Sequence, residues 1–451
     1  MDSRPVSISI LGGGPAGLAL GFYAKKSGIP FVIYEASSRL GGISVTLKHG
    51  DFLYDSGAHR LHDKDEEVML DLKEILGEEL KHIDMPSQIY DHGQFIDFPL
   101  SPLNLMRNLG LLTFFKAGLE VLTGKFRSRG PQRNFAEFAV NTYGKTVAEK
   151  FLMNYSEKLW GLPSDGLSVG IAAKRMKGLD LKTFLMEAFL GSKVKTRHLD
   201  GAFYYPDRGI GEISQALAEY CGEENIAKNA KVTKIVHDHQ KIQAIEINDR
   251  EMRETDFVIS TLPIDHVVRM MEPPLPEKAL SSANHFKYRN VVLVALFLRR
   301  ASVTEAATIY FPDPEIPFTR IYEPKNRSPY MSPPERTSLV AELPCNPDHK
   351  LWGLEDKELI QMVSPRLIQM EWIKAEDIIG TSVYRIDHAY PTLELGFEEN
   401  LKTLSAYLAP FKNIKISGRN GRFYAVHIHD VMRWGKDIIA EFVSEEGKSW
   451  S

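Results

Sequence analysis

The residues best suited to chemistry stand near the start of the chain. Gly12, Gly14 and Gly17, in Gly12-Gly13-Gly14-Pro15-Ala16-Gly17, follow the apolar run at residues 6–11 and open a helical stretch. In that setting the first glycine permits a tight turn, the second lets a pyrophosphate approach the backbone, and the third lets helix and strand pack closely. The helix N-terminus adds amide donors and partial positive charge for the phosphates. Glu35 ends the next apolar run, where a carboxylate can accept hydrogen bonds from ribose hydroxyls. The motif therefore reads as a dinucleotide site, common to NAD and FAD. His59 carries an imidazole that can take a proton near neutral pH, or can be a structural histidine satisfied by backbone. His427 and His429 have no other ligand cluster nearby in sequence, so no metal site is expected. With only Cys221 and Cys345 and no Cys-x-x-Cys, dithiol chemistry is excluded.

Positioning these groups takes a βαβ unit, and the pattern supplies one. Residues 6–11 read as a buried strand, a helix should run to about residue 26, and residues 30–34 read as a second strand. Residues 39–42 and 55–59 look like loops that bring backbone close to a ligand, with a short hairpin between them. Helical patterning begins near residue 99 and covers 103–125 and 135–159. Strand returns at 202–205, helix at 210–220, and strands at 230–237, 243–248 and 256–263. Longer strands at 290–298, 307–311, 319–322 and 338–343 suggest a second, mostly antiparallel sheet. A last strand at 413–417 leads through Gly418-Arg419-Asn420-Gly421 into a helix ending near residue 442. The expected class is α/β. A Rossmann-like nucleotide-binding domain would be assembled from residues 1–98, 201–265 and 411–451, interleaved with a helical insertion, 99–200, and an antiparallel-sheet substrate domain, 266–410.

Composition narrows the function classes. The 451 residues allow two or three domains' worth of core, and 43% apolar with 25% charged residues exclude disorder. A net charge of −4 gives no general attraction for nucleic acid, which is not an expected partner. Two cysteines fit a reducing cytoplasm, and no targeting segment is expected ahead of residue 6. The longest apolar run, 291–298, is far short of the roughly 20 residues that span a bilayer. Residues 103–129 mix Leu, Phe and Met with Arg107, Lys116, Lys125, Arg127 and Arg129. The preferred reading is a helix covering the substrate domain, and the other is weak peripheral contact with a membrane surface. The acidic run 63–67 reads as a solvated helix start, and Tyr155 and Trp160 read as core ahead of pocket lining.

Beyond the glycine motif, Ala36-Ser-Ser-Arg39-Leu-Gly41-Gly42 resembles the FAD-dependent amine oxidase and protoporphyrinogen oxidase-like superfamily, as does Asp55-x-Gly57-x-His59. The segments Tyr155 to Gly161, Ala172 to Gly178, Tyr205-Pro206 with Gly209 and Gly211, Ala389-Tyr-Pro391 and Gly418 to Gly421 are similar to protoporphyrinogen-oxidase-like proteins in the same order. The resemblance implies a Rossmann-like FAD-binding domain of glutathione-reductase type, interleaved with an α+β substrate domain. FAD is the implied cofactor. Its implied binding residues are Gly12, Gly14, Pro15, Ala16, Gly17, Glu35, Ala36, Arg39, Gly41, Gly42, Gly57, Ala58, His59, Val232, Gly418, Arg419, His427 and Ile428.

The chain is also similar to UDP-galactopyranose mutases, which grip a substrate diphosphate with two arginines. Arg175 and Arg320 look similar in setting, and planar guanidinium donors suit a diphosphate. Their other reading is a pair of structural ion pairs. Where family members commonly carry a tyrosine in Gly-Arg-x-Gly-x-Phe-x-Tyr, this chain has Ala425, with Tyr424 one residue earlier. The implied function is therefore an FAD-dependent oxidoreductase that oxidises a small organic substrate by hydride transfer to the flavin, with His59, Arg175 and Arg320 as candidate catalytic residues. A redox-neutral nucleotide-sugar mutase or related sugar-modifying enzyme is the alternative. The fold serves both.

Overall fold

The computed structural model describes residues 6–98, 106, 110–127, 132–171 and 202–449. Five short parallel strands form one sheet, in the order Ile414–Ile416, Phe257–Ser260, Ile8–Leu11, Phe31–Tyr34 and Ile226–Ala227. They come from the beginning, middle and end of the chain. Ile8, Ile10, Ile33 and Ile259 are fully buried, as a parallel sheet covered on both faces requires. Helix Pro15–Lys26 links the first two strands in sequence and buries nine consecutive residues from Ala16 to Ala24. It lies against the C-terminal helix Ile428–Ser449, closely enough that a Cβ on Gly435 would stand 3.3 Å from the Leu20 amide nitrogen. The C-terminal helix passes the expected end at 442. Apolar spacing stops there, but no proline interrupts the backbone.

The second large sheet has seven strands, ordered Ile378–Pro391, Tyr288–Leu298, Thr337–Cys345, Arg320–Tyr322, Thr308–Tyr310, Ser87–Asp91 and Gln94–Phe98. All pairings are antiparallel except that of Ser87–Asp91 with Thr308–Tyr310. The 11-residue strand Tyr288–Leu298 is buried throughout because its two faces serve two cores. Val292, Val294, Leu296 and Leu298 pack with Leu359, Val363 and Leu367 of helix Asp356–Gln369. Val291, Leu293, Ala295 and Phe297 instead face Phe52, Tyr54 and Tyr322. Burying each such side chain is worth about 1.5–3 kcal/mol, so either face would resist a polar replacement. The hairpin at 87–98 precedes the helical region in sequence yet completes this sheet.

A four-stranded sheet, Glu251–Glu254, Ile242–Ile247, Val232–His237 and Met271–Glu272, pairs with neither but packs in one core with the five-stranded sheet. In the helical region, helix Leu111–Arg127 buries Ala117 with Ile89, Ile96, Val147 and Phe151. Its opposite side exposes Leu112, Phe115 and Leu119, at 89%, 68% and 63%. The helix thus covers protein on one side and turns apolar side chains outward on the other. No described helix is long and apolar enough to cross a membrane. Cys221 and Cys345 are buried and unpaired with each other.

The acidic run 63–67 opens a helix on a largely exposed surface, as expected, and it also ties two helices together: Asp65 caps helix Glu66–Leu76 and takes two Arg433 donors at 2.6 Å, while Glu67 takes Arg433 and Lys436 at 2.9 and 3.0 Å. Sequence spacing could not show the partners because they lie on the C-terminal helix.

Candidate active site

The glycine turn is built as its spacing requires. Gly14 is the extended N-cap of helix Pro15–Lys26, with Pro15 at its first position, where a missing N–H costs nothing. A Cβ on Gly17 would lie 1.8 Å from the Gly12 carbonyl oxygen, so only glycine permits this approach. Glu35 sits beside the turn, one carboxylate oxygen accepting from the Gly13 amide at 2.7 Å and the other from the Ser37 amide and hydroxyl at 2.9 Å. Gly42 packs directly against Gly14, and a Cβ on Gly42 would come within 3.2 Å of the Gly14 Cα. The Gly41 amide donates to the Gly13 carbonyl at 2.9 Å and holds this second loop against the first.

The loop at 55–59 is fixed from two directions. Asp55 is completely buried and accepts from the Tyr205 hydroxyl, from Thr46 Oγ1 at 2.7 Å and from the Ile210 amide at 3.0 Å. Burial pushes its carboxyl above the usual range, against the pull of these donors. On the other side, the Ala58 amide donates to Glu342 Oε1 at 2.7 Å and the His59 carbonyl accepts from Arg327 Nη1 at 3.0 Å. The His59 ring lies 3.4 Å from the Ser56 hydroxyl. Burial first, then the charges of Arg419, Arg320 and Arg327, hold its pKa down to about 3, so the ring is neutral at physiological pH. A neutral imidazole this weakly basic is poorly matched to proton abstraction at neutral pH.

The seven-stranded sheet supplies the facing wall. Arg320 and Glu342 are direct cross-strand partners, joined by a 2.6 Å bond from Arg320 Nε to Glu342 Oε2. Arg320 Nη2 also donates to the Tyr390 hydroxyl at 2.7 Å. The Tyr390 ring takes Arg419 on its face at 5.1 Å and meets Trp160 edge-on at 5.9 Å. Arg419 itself donates to the Ala389 carbonyl. Tyr155 stands edge-on to Tyr310 at 5.5 Å, and burial raises its phenol pKa.

At the C-terminal segment, the rings of His62, His427 and His429 gather with centroids 5.2–6.3 Å apart. The pKa of His62 is also held down to about 3, mainly by burial and then by Lys64 and Arg60. Ala425 lines the space these groups enclose, while Tyr424 is 43% exposed.

These elements enclose one continuous cavity of about 580 Å³. Its wall includes Gly12, Gly14, Pro15, Ala16, Glu35, Gly42, Ala58, His59, Arg320, Gly418, Arg419, His427 and Ile428. Gly17, Ala36, Arg39, Gly41, Gly57 and Val232 stand outside the wall. Gly17 and Gly41 shape the turns, and Val232 belongs to the four-stranded sheet. Arg39 donates to the Tyr384 hydroxyl at 2.8 Å. Arg175 and the segment Ala172 to Gly178 lie outside the described residues. Tyr155 and Trp160, expected in the core, line the cavity, although Trp160 is also 1% exposed and part of a core cluster. Sequence reasoning missed Arg60, Tyr310, Glu342 and Tyr390 as wall residues, since only strand register and loop docking bring them here.

Comparison with known proteins decides the family. The chain matches the family described as "Flavin containing amine oxidoreductase" over residues 15–376. It belongs to that family. FAD is its cofactor, and the cavity wall formed by Gly12, Gly14, Pro15 and Gly42, free of side-chain bulk at the glycines, fits a dinucleotide beside the helix N-terminus. Among solved structures, this flavin amine oxidoreductase is similar to a reduced UDP-galactopyranose mutase, with a TM-score of 0.85 and 22% identity over 98% of this chain and 96% of the other. It is similar to a putative protoporphyrinogen oxidase from Exiguobacterium sp. 255-15, with a TM-score of 0.77 and 19% identity over 98% and 99%. It is also similar to cyclohexylamine oxidase from Brevibacterium oxydans IH-35A, with a TM-score of 0.72 and 13% identity over 99% and 100%. These likenesses show the Rossmann-like fold shared across the family.

Proposed function

We propose that this flavoenzyme oxidises a small organic substrate by hydride transfer. FAD would be held by the Gly12–Gly17 turn at its pyrophosphate, by Glu35 at a ribose, and by the segments around Gly57–His59 and Gly418–Ile428 toward its ring system. When bound, FAD supplies a two-electron acceptor and so carries the hard part of the chemistry. The observation that supports this reading is the state of the ionisable groups in the chamber. His59 and His62 are neutral, and Glu342 is engaged by Arg320 and the Ala58 amide. Such a wall orients a substrate and offers neither His59, His62 nor Glu342 as a ready base at neutral pH, as hydride transfer to a flavin allows. Phe151, Leu159, Trp160 and Val291 form the apolar side of the same wall and would press the substrate toward the cofactor.

One observation favours the nucleotide-sugar mutase as a second reading. Arg320 stands in the wall with its guanidinium fixed by Glu342 and Tyr390, a setting suited to a diphosphate. Arg175 would be its sequence-proposed companion. Against it, the tyrosine common in the family is Ala425 here.

An anaerobic absorbance spectrum of the FAD-loaded protein tests both. Bleaching of oxidised flavin bands by an amine or porphyrinogen alone supports hydride transfer. Isomerisation of UDP-galactose only after dithionite reduction, with no reductant consumed per turnover, replaces it with the mutase.

A further inference from the structure

Arg60 is a half-buried cation in the cavity wall that the proposed chemistry does not use, and among the described residues no carboxylate pairs with it. Its Nη2 donates to Ser87 Oγ and to Thr308 Oγ1, the latter at 3.0 Å. Phe203 lies under the guanidinium at 5.0 Å. Among the described residues Arg60 makes no salt bridge and no hydrogen bond through Nε or Nη1, although it lines the cavity. Arginines drawn out of bulk water are ordinarily paired with carboxylates, because a charge with no counter-charge is poorly solvated there.

The neighbouring charges sharpen the deficit. Thr308 Oγ1 also accepts from Arg327 Nη2 at 3.1 Å, so two guanidiniums share one hydroxyl. The two neighbouring guanidiniums have a balance of their own. Arg320 has Glu342, and Arg327 has the field of Asp55 and the Tyr322 ring at 4.7 Å. The pKa of Arg60 is lowered first by burial and then by the positive charges of Arg327 and Arg320, with only the Tyr310 phenol acting the other way. The positive potential at this end of the chamber is therefore uncompensated.

The cofactor's phosphates do not answer it. Arg60 is anchored to Ser87 and Thr308, register partners in the seven-stranded sheet, whereas the glycine turn belongs to the five-stranded sheet. We infer that Arg60 forms an anion-binding subsite in the substrate chamber, taking a carboxylate or phosphate oxyanion of the substrate on Nε and Nη1. The two free donors form the planar fork that suits either anion, and Ser87 and Thr308 fix its direction from behind. The substrate class is then an amphipathic organic anion, its apolar body against Phe151 and Trp160. A cationic amine is disfavoured by the same field.

This inference rests on reading the chamber as a substrate site, but it is tested by binding to the oxidised protein without turnover, so its failure and that of hydride transfer are distinguishable. Calorimetry on the FAD-loaded protein would compare benzoate, phenyl phosphate and the neutral isostere benzamide. At least one anion is expected to bind at least tenfold more tightly than benzamide, and its identity separates carboxylate from phosphate. Equal affinity for all three overturns the inference without any variant. Arg60→Gln is then expected to abolish the anion preference while retaining FAD, and Arg60→Lys to keep part of it. An undiminished preference in Arg60→Gln, or in Arg60→Lys should the former not fold, assigns the anion elsewhere and overturns the role of Arg60. A folded Arg60→Gln that no longer holds FAD places Arg60 in the cofactor site and overturns it equally.

Discussion

The two ends of the cavity are made by different physics. At the glycine turn, the geometry is set by backbone: an amide from Gly13 on Glu35, a carbonyl of Gly12 against Gly17, and Gly14 packed backbone to backbone on Gly42. At the seven-stranded wall, the geometry is set by the side chains of Arg320, Glu342 and Tyr390, with Glu342 reaching back to the amide of Ala58 almost 300 positions earlier in sequence. The first kind of site tolerates almost no change in residue size but draws on neighbours within one βαβ unit. The second tolerates change in size better than change in charge. One cofactor-binding end can thus persist while the wall is altered to suit another substrate.

The largest expected effect is at the backbone end. Gly17→Val would drive side-chain carbon into the Gly12 carbonyl, which an added Cβ already meets at 1.8 Å. The turn cannot keep its shape, and a destabilisation above about 4 kcal/mol is expected, with no flavin retained after purification. Flavin absorbance per protein and the melting curve check this. Retained flavin would mean that the turn is more plastic than a backbone-defined site allows.

At the side-chain end, Glu342→Gln keeps the shape and can still accept the Ala58 amide, but it leaves Arg320 buried without its counter-charge. Breaking such a pair costs about 3–5 kcal/mol. The expected result is a clear fall in melting temperature with a flavin content that remains measurable. Complete flavin loss, as for Gly17→Val, would show that the two ends are not independent. Tyr390→Phe is milder. It removes one acceptor of Arg320 and keeps the ring against Arg419 and Trp160, so about 1–2 kcal/mol is expected, with normal flavin content.

The same contrast explains what could be read in advance. The strand, the glycine turn, helix Pro15–Lys26 and Glu35 form a local unit, and periodicity with spacing suffices to place each part. The strand Tyr288–Leu298 was visible as an apolar run, but its two faces were not, because a run apolar at every position carries no period-two signal. Arg320 was singled out by likeness, yet Glu342 opposite it follows only from strand register. Arg60 gave no signal beside His59. Its meaning comes from Ser87 and Thr308, on a hairpin and a strand that meet only in the folded sheet. Likewise Tyr155 and Trp160 looked like core because an aromatic facing a cavity and one facing protein have the same helical spacing.

The smallest effect is confined to acid. His62 has its folded pKa depressed to about 3 by burial and then by Lys64 and Arg60, against about 6.5 in an unfolded chain. Between these values the unfolded state binds more protons than the native state. Stability therefore rises with pH through this window and is lost as pH falls below about 6.5. His62→Gln removes that titration. At pH 7 its own contribution to the pH slope is close to zero. By pH 4 the variant should have gained on the parent by on the order of 1 kcal/mol, a discounted figure because the ring is only partly buried and cavity water screens it. Melting curves at both pH values check this. A gap that does not change between pH 7 and pH 4 would mean that the His62 ring is already hydrated and protonated in the folded protein. The wall would then be wetter than the chamber of a water-excluding flavoenzyme, and the division between its backbone-built and side-chain-built ends would need to be redrawn around solvent.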